Sequence, residues 1–213
     1  MLEKSRYIVV EGPIGAGKTT LARRLAERLN NASLLLEQPE LNPFLGRFYQ
    51  NMDRWALATQ LEFLFQRTEL LRGLDAHKRD GHRVISDFLL DKDPLFAGLT
   101  LGEEEESLYR RAWRSLHPQA PAPDLVIYLQ AKPETLIERV RRRGMDSERR
   151  ITESYLERVA VRYAEFFHHY DRSPLFIVNA EVLNPVEVEE DLDLLIKRLF
   201  AMRGYREFFS YSQ

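Results

Sequence analysis

The sequence contains no cysteine among its 213 residues. Disulfide bonds, thiolate catalysis and cysteine-based zinc sites are therefore excluded. It also lacks an excess of charge of either sign, because 31 basic and 33 acidic residues leave a formal net charge of −2. No overall field therefore attracts nucleic acid or anionic membranes. No apolar run approaches the roughly 18 residues of a membrane-spanning helix. We expect a cytoplasmic protein with no nucleic-acid or membrane partner.

The chain has neither an internal repeat nor a long linker. Its 213 residues, of which 44% are hydrophobic, are enough to form one sizeable core. We therefore expect a single domain that spans residues 1–213.

What the chain does contain is a glycine-rich loop that fits the pattern G-x-x-x-x-G-K-[ST]. The loop consists of Gly12, Pro13, Ile14, Gly15, Ala16, Gly17, Lys18 and Thr19. The apolar segment 6–11 before it predicts a strand, and the segment 20–29 after it predicts an amphipathic helix whose N-terminus favours an anion. We expect this loop, together with Thr20, to bind a nucleoside triphosphate. In that role Lys18 contacts the phosphates and Thr19 contacts Mg²⁺.

Short apolar segments alternate with helical patterns along the chain. The five predicted strands are segments 6–11, 33–37, 83–87, 124–130 and 175–179. This alternation predicts an α/β protein of three layers, with a five-stranded parallel sheet flanked by helices, as in P-loop kinases. A long helix is predicted from Asp53 to Lys78, with Asp80-Gly81 ending it. We expect the aromatic tail from Arg203 to Gln213 to pack on the body of the protein.

Two of the predicted strands end in an acidic residue, Glu37 and Asp87. The carboxyl ends of parallel strands meet at one edge of a sheet, and ligands of such sheets bind there. Glu37 could accept the proton of an acceptor hydroxyl, and Asp87 could hold Mg²⁺ opposite Thr19. Taken alone, each acid could equally be a cap or a surface charge.

Two further groups of polar residues each permit two interpretations. Gln60 and Arg67 are seven residues apart on one face of the long helix, so Arg67 could form an internal salt bridge, or the pair could hydrogen-bond the edge of a nucleobase. The cations of segment 139–143 could complement a helix C-terminus. Alternatively, with segment 145–150, they could form an arginine-rich lid, at about 143–151, that covers the transferring phosphate.

Taken together, these residues make the sequence resemble the deoxynucleoside kinases from about Tyr7 to Asn179. The resemblance is carried by the loop, by Glu37-Gln38-Pro39 and by the strand-to-helix segment 128–135. It implies that Glu37 is the base for a 5′-hydroxyl and that Tyr49 and Glu148 contact the sugar 3′-hydroxyl.

The same resemblance implies roles for five more residues and an oligomeric state. Gln60 and Arg67 match the residues that read the nucleobase, and Asp93 matches the acid that partners that arginine. Arg139 and Arg143 match lid arginines that stabilise the charge developing on the transferring phosphate, and Arg139 is also implied to stack on the donor adenine. The resemblance also implies a homodimer built on helices that include the long one.

The sequence departs from the family after Asp87, where Phe88 and Leu89 stand in place of the usual Arg-Ser. We predict an ATP- and Mg²⁺-dependent deoxynucleoside kinase for nucleotide salvage, with a purine preference suggested by this departure and by segment 42–44. One alternative is a nucleoside monophosphate kinase of the thymidylate type, whose acceptor phosphate Glu148 would repel. The other is a P-loop ATPase that acts as a switch or binding module.

Overall fold

Six parallel strands form one sheet in the computed structural model, which describes residues 1–29, 32–74, 82–116 and 121–210. The spatial order of the strands is β2-β3-β1-β4-β5-β6. They are β1 (Tyr7–Glu11), β2 (Ala32–Leu35), β3 (Arg83–Ser86), β4 (Leu125–Gln130), β5 (Leu175–Asn179) and β6 (Arg206–Phe209).

Helices connect these strands and cover the sheet. They are α1 (Lys18–Arg28), α2 (Leu45–Phe48), α3 (Met52–Arg72), α4 (Asp93–Thr100), α5 (Glu103–Leu116), α6 (Pro133–Arg143), α7 (Glu153–His169) and α8 (Glu189–Ala201). None of the helices in the described ranges is long and apolar enough to cross a membrane.

Both faces of the sheet are buried. For this reason the sequences of the inner strands are continuous apolar runs. In β1, Ile8 and Val10 belong to one core cluster, whereas Tyr7 and Val9 belong to another. The first cluster includes side chains of α1 and α8, and the second includes side chains of α3, α4 and α7. The predicted three-layer α/β architecture is therefore confirmed.

The sheet has six strands, so the prediction of five was wrong. The additional strand, β6, pairs in parallel with β5, with Leu175 opposite Arg206 and Val178 opposite Phe209. Only Phe209 of this strand is buried, and it packs on Phe176 with ring centroids 5.9 Å apart. Because β6 is a short edge strand with charged and exposed positions, it lacks the continuous apolar run that marks the inner strands.

The long helix and the arginine-rich segment follow the predicted pattern in outline. Helix α3 is assigned from Met52 to Arg72, and most of its predicted continuation to Lys78, with the stop at Asp80-Gly81, lies outside the described residues. Helix α6 ends at Arg143 because Gly144 adopts φ 66°, a left-handed cap. A 3₁₀ turn over Asp146–Glu148 leads to α7, so segment 144–152 is a short connection between two helices.

Candidate active site

The order of the strands brings the three predicted strand ends together. Strands β2, β3 and β1 are neighbours in the sheet. Gly12 follows β1 directly, Asp87 follows β3 directly, and Glu37 lies two residues beyond β2. The convergence expected from a parallel sheet is therefore present at this edge.

A single pocket at this edge collects most of the predicted site residues. The predicted residues that line it are Ile14, Gly15, Lys18, Thr19, Glu37, Tyr49, Gln60, Arg67, Asp87, Arg143 and Glu148. Aromatic rings that the sequence analysis did not single out complete the wall, namely Phe48, Phe63, Phe96, Tyr155 and Tyr163. Their helical spacing is typical of core residues, so no pattern in the sequence distinguished them from the core.

The glycine-rich loop wraps around its own lysine. Lys18 Nζ donates hydrogen bonds to the carbonyl oxygens of Gly12, at 2.9 Å, and Pro13, at 3.1 Å. Burial lowers the pKa of Lys18, and the carboxylates of Glu11, Glu37 and Asp87 oppose that effect. The ammonium group is therefore held by the loop, close to these three carboxylates.

The loop also requires glycine where it meets helix α6. Gly15 has φ 87°, and a Cβ atom at this position would lie 2.7 Å from the carbonyl oxygen of Leu136. We predict that Gly15→Ala destabilises the loop, because left-handed backbone costs a residue with a side chain about 1–2 kcal/mol and the contact with backbone adds to it. ATP affinity, measured by calorimetry, should fall together with the melting temperature.

Gly46→Ala is the matched control for that substitution. Gly46 lies in α2, and no atom lies within 4 Å of the position its Cβ would occupy. This variant should keep its ATP affinity and gain a few tenths of a kcal/mol in stability at most. Equal effects of the two substitutions would contradict the close contact between the loop and α6.

Thr19 and Asp87 meet across the pocket. The Thr19 hydroxyl donates to Asp87 Oδ2 at 2.5 Å, and the Glu37 backbone N–H donates to Asp87 Oδ1 at 2.8 Å. Burial raises the pKa of Asp87, whereas these two hydrogen bonds lower it. Both side chains offer oxygen atoms, which Mg²⁺ prefers. Because no group of three or more metal-ligating side chains occurs in the described ranges, phosphate oxygens and water would have to supply the other ligands.

The Glu37 carboxylate is held by one cation from α3 and by another from the 3₁₀ turn that precedes α4. Arg67 Nε of α3 donates to Glu37 Oε1 at 2.5 Å, and Lys92 Nζ lies 3.7 Å from the same oxygen. Burial alone would raise the pKa of Glu37, but Arg67, Lys92 and Lys18 outweigh it and hold the pKa at about 2. Glu37 is therefore ionised at neutral pH.

Arg67 lies between Glu37 and Asp93. Its side chain also donates through Nη1 to Asp93 Oδ1, and its guanidinium lies 4.9 Å from the centroid of the Phe63 ring. Asp93 is fully buried behind Arg67 and does not line the pocket. Burial raises the pKa of Asp93 to about 6, although Arg67 and Lys92 act in the opposite direction. The predicted pairing of Asp93 with Arg67 is present in the structure.

Tyr49, Gln60 and Glu148 lie in the same pocket, and all three are largely buried. Arg143 donates to both carboxylate oxygens of Glu148, at 2.5 Å and 2.6 Å. This pair ties the end of α6 to the 3₁₀ turn that follows it. Arg143 and Glu148 therefore contribute one cation and one anion to the pocket wall.

Arg139 lies on the other side of the glycine-rich loop. Its Nη2 donates to the carbonyl oxygen of Ala180 at 2.8 Å. It lines a second concavity together with Ala16, Gly17, Thr20 and Asn184. Arg139 and Thr20 are therefore separated from Glu37 and Arg67 by the loop itself. Gly12 and Pro13 line neither concavity and act through their carbonyl oxygens on Lys18.

Two buried charged residues of the site were missed by the sequence analysis. Lys92 lies at the start of α4, and Glu11 is the last residue of β1. Lys92 Nζ lies 3.0 Å from Glu11 Oε1. The available signals were a lysine flanked by two aspartates within a segment whose other residues are mostly apolar, and an acid directly before the loop. Phe88, which stands where the resemblance led us to expect arginine, is buried in the core.

A family model described as deoxynucleoside kinase matches residues 8–200. The match begins in the first strand, includes every residue of the pocket described above and ends in the last helix. The chain belongs to the deoxynucleoside kinase family. Members of this family are ATP-dependent phosphotransferases, and this kinase is one of them.

Several similar proteins are deoxynucleoside kinases by name. The kinase is 35% identical over 158 residues to the deoxyguanosine kinase of Bacillus subtilis, covering 74% of this chain and 76% of the relative. It is 25% identical over 205 residues to the deoxyadenosine/deoxycytidine kinase of the same organism, covering 93% of each. Among solved structures, deoxyadenosine kinase from M. mycoides with bound dCMP and dCDP has a TM-score of 0.77 and 26% identity. That likeness covers 92% of this chain and 99% of the other.

Proposed function

We propose that this kinase transfers the γ-phosphate of ATP to the 5′-hydroxyl of a deoxyribonucleoside, with a preference for purines, in nucleotide salvage. The observation that carries the proposal is the continuity of one pocket. Lys18 and Thr19 of the loop line one part of it, and Glu37 and Glu148 line another. A phosphate donor and a sugar hydroxyl could therefore be held side by side.

Lys18 and the loop amides are proposed to hold the donor phosphates, with Arg139 against the donor base on the outer side of the loop. Thr19 and Asp87 would hold Mg²⁺, which neutralises phosphate charge when bound. Arg143 is proposed to act on the charge that develops during transfer.

The proposed step is an in-line displacement. The acceptor 5′-oxygen forms a bond to the γ-phosphorus, while the bond from that phosphorus to the bridging oxygen of ADP breaks and ADP keeps the electron pair. The proton of the acceptor hydroxyl passes to Glu37. The products are a deoxynucleoside 5′-monophosphate and ADP.

Tyr49 and Glu148 are proposed to bind the sugar 3′-hydroxyl, and Gln60 and Arg67 to bind the nucleobase. An acid such as Glu148 accepts a hydrogen bond from a hydroxyl but repels a phosphate. The aromatic rings that line the pocket together with Gln60 offer an apolar slot for a planar base. The purine preference is supported by the relationship to the Bacillus subtilis deoxyguanosine kinase.

We further propose that the kinase is a single domain and forms a homodimer that includes α3. The support for the dimer is an exposed aromatic residue, since Phe65 of this helix is 51% accessible. Aromatic residues are enriched at subunit interfaces.

The proposal is tested by measuring phosphate transfer from ATP·Mg²⁺ to deoxyadenosine, deoxyguanosine, deoxycytidine and thymidine, and to their 5′-monophosphates. We expect turnover with free deoxynucleosides, fastest with a purine. If turnover is fastest with a pyrimidine, the proposed purine preference is contradicted, but the proposed transfer to a free deoxynucleoside is not.

The second candidate is a nucleoside monophosphate kinase. A probable thymidylate kinase of Archaeoglobus fulgidus is 29% identical over 161 residues. Turnover with monophosphates alone would favour this candidate. Hydrolysis of ATP without transfer to any acceptor would favour a P-loop ATPase.

A further inference from the structure

Lys92 is a buried cation for which the proposed function does not yet account. Its exposed fraction is 2%, and it lies on a 3₁₀ turn over Leu90–Lys92 that leads directly into α4. Lysine is almost never buried to this degree unless its ammonium group is paired with acids. The partners of Lys92 therefore indicate why the cation is there.

Those partners are two carboxylates from different strand ends. Lys92 Nζ lies 3.0 Å from Glu11 Oε1 and 3.7 Å from Glu37 Oε1. Glu11 is itself fixed, because it accepts hydrogen bonds from the N–H groups of Gly12, at 2.7 Å, and Leu89, at 3.1 Å. Lys92 thus connects a rigid acid at the base of the glycine-rich loop to the acid at the end of β2.

The way in which Glu37 is held distinguishes its two carboxylate oxygens. Arg67 and Lys92 both approach Oε1. No hydrogen bond or ion pair from the described parts of the chain reaches Oε2. A carboxylate with one oxygen held by cations from two different elements has a restricted orientation, and its second oxygen stays available as an acceptor.

We propose that Lys92 is a positioning residue for phosphoryl transfer, which together with Arg67 fixes Glu37 Oε1 so that Oε2 accepts the proton of the acceptor hydroxyl. The inference rests on the proposed function, because it assigns Glu37 to the acceptor. Lys92 does not itself take up or release a proton in this step. Its contribution is the orientation of Glu37 relative to the loop that holds the donor.

The experiment compares Lys92→Met with Lys92→Arg in the full-length kinase, using ATP·Mg²⁺ and the best free deoxynucleoside. Lys92→Met should lower kcat by roughly 10- to 100-fold, the loss seen when a group that orients a functional side chain is removed. The KM for ATP should change little, because the loop and Lys18 stay in place. Lys92→Arg restores a cation and should recover most of kcat.

Lys197→Met is the matched control, because Lys197 is exposed on α8, outside the pocket. It should leave kcat and both KM values unchanged. If Lys92→Met does not fold, the double variant Glu11→Gln/Lys92→Met removes both charges of the buried pair and should fold while keeping the low kcat.

Two results would overturn the proposed role of Lys92 and leave the proposed function of the kinase standing. One is a normal kcat in Lys92→Met; the other is a loss of kcat, ATP affinity and melting temperature together that Lys92→Arg does not recover. The second would make Lys92 only the buried counter-charge of Glu11. Failure of the wild-type kinase to phosphorylate any free deoxynucleoside would instead overturn the proposed function, and the inference with it.

Discussion

Replacement of Glu37 by glutamine is expected to lower kcat by about 10²- to 10⁴-fold, which is the range that a positioned acid–base group contributes. The substitution keeps the shape of the side chain but removes the charge that Arg67 and Lys92 face. ATP affinity should stay the same, because Lys18 and the loop amides are the groups proposed to hold the phosphates. Steady-state transfer to the best deoxynucleoside measures the first quantity, and calorimetry with ATP measures the second.

The low pKa of Glu37 bears on how it acts. At about 2, this pKa makes the carboxylate a weak base that is ionised at neutral pH. Phosphoryl transfer proceeds through a loose transition state, in which little charge develops on the acceptor oxygen until its bond to phosphorus forms. A weak base suits this order of events, because it first orients the hydroxyl through a hydrogen bond and takes up the proton late.

Glu40→Gln is the control for that experiment. Glu40 is exposed and lies three residues further along the same segment. Its replacement should leave kcat within about 2-fold of the wild type, as for most exposed positions. Near-normal turnover in Glu37→Gln would remove Glu37 from the proposed role, whereas a parallel loss of ATP affinity would indicate a disturbed pocket.

The nucleotide-binding loop could be predicted because its determinants are local. The pattern from Gly12 to Thr19 lies within eight consecutive positions, and the strand and helix beside it have clear periodicities. The meeting of Glu37 and Asp87 could also be predicted, since it follows from the geometry of any parallel sheet. Both predictions needed no knowledge of how distant side chains pack.

Features that depend on tertiary packing could not be read from the sequence. Strand β6 is defined by its pairing with β5, and Phe208 on it is 58% exposed. Lys92 pairs with Glu11, which lies 81 positions away in the sequence. No periodic pattern in the residues around either of them indicates this pairing. The burial of a charged residue is decided by partners that only the folded chain brings together.

The sequence left two interpretations of Arg67 open, and the structure contains a feature that each of them requires. Arg67 forms buried ion pairs with Glu37 and Asp93, as the internal salt bridge required. It also lines the pocket beside Gln60 and Phe63, as contact with a nucleobase required. A measurement that separates stability from substrate selection is therefore needed.

Arg67→Ala is expected to lower the free energy of unfolding by about 3–5 kcal/mol, because it leaves the buried carboxylates of Glu37 and Asp93 without their shared cation. It should also raise the acceptor KM by about 10-fold or more, since a hydrogen bond to a charged group contributes about 1.5–3 kcal/mol. The preference among deoxynucleosides should become weaker. Urea unfolding measures the first effect, and kinetics with the four deoxynucleosides measure the others.

The loss of stability should depend on pH through Asp93. Folding raises the pKa of Asp93 from its ordinary value of 3.8 to about 6, so this carboxyl reduces stability increasingly as pH rises between those values. Without Arg67, whose charge lowers that pKa, the folded-state value moves higher still. The stability difference between wild type and variant should therefore be larger at pH 8, where Arg67 stabilises the Asp93 carboxylate in the wild type alone, than at pH 5, where the folded carboxyl is largely protonated in both proteins.

The double variant Arg67→Ala/Asp93→Asn separates the two roles of Arg67. Asparagine removes the buried charge of Asp93, so much of the lost stability should return. The acceptor KM and the blurred preference should not return, because no cation is restored beside Gln60. Arg72→Ala, at the exposed end of the same helix, should change stability by less than about 1 kcal/mol. If Arg67→Ala lowers stability but keeps the wild-type preference among the four deoxynucleosides, Arg67 is an internal salt bridge and does not read the base.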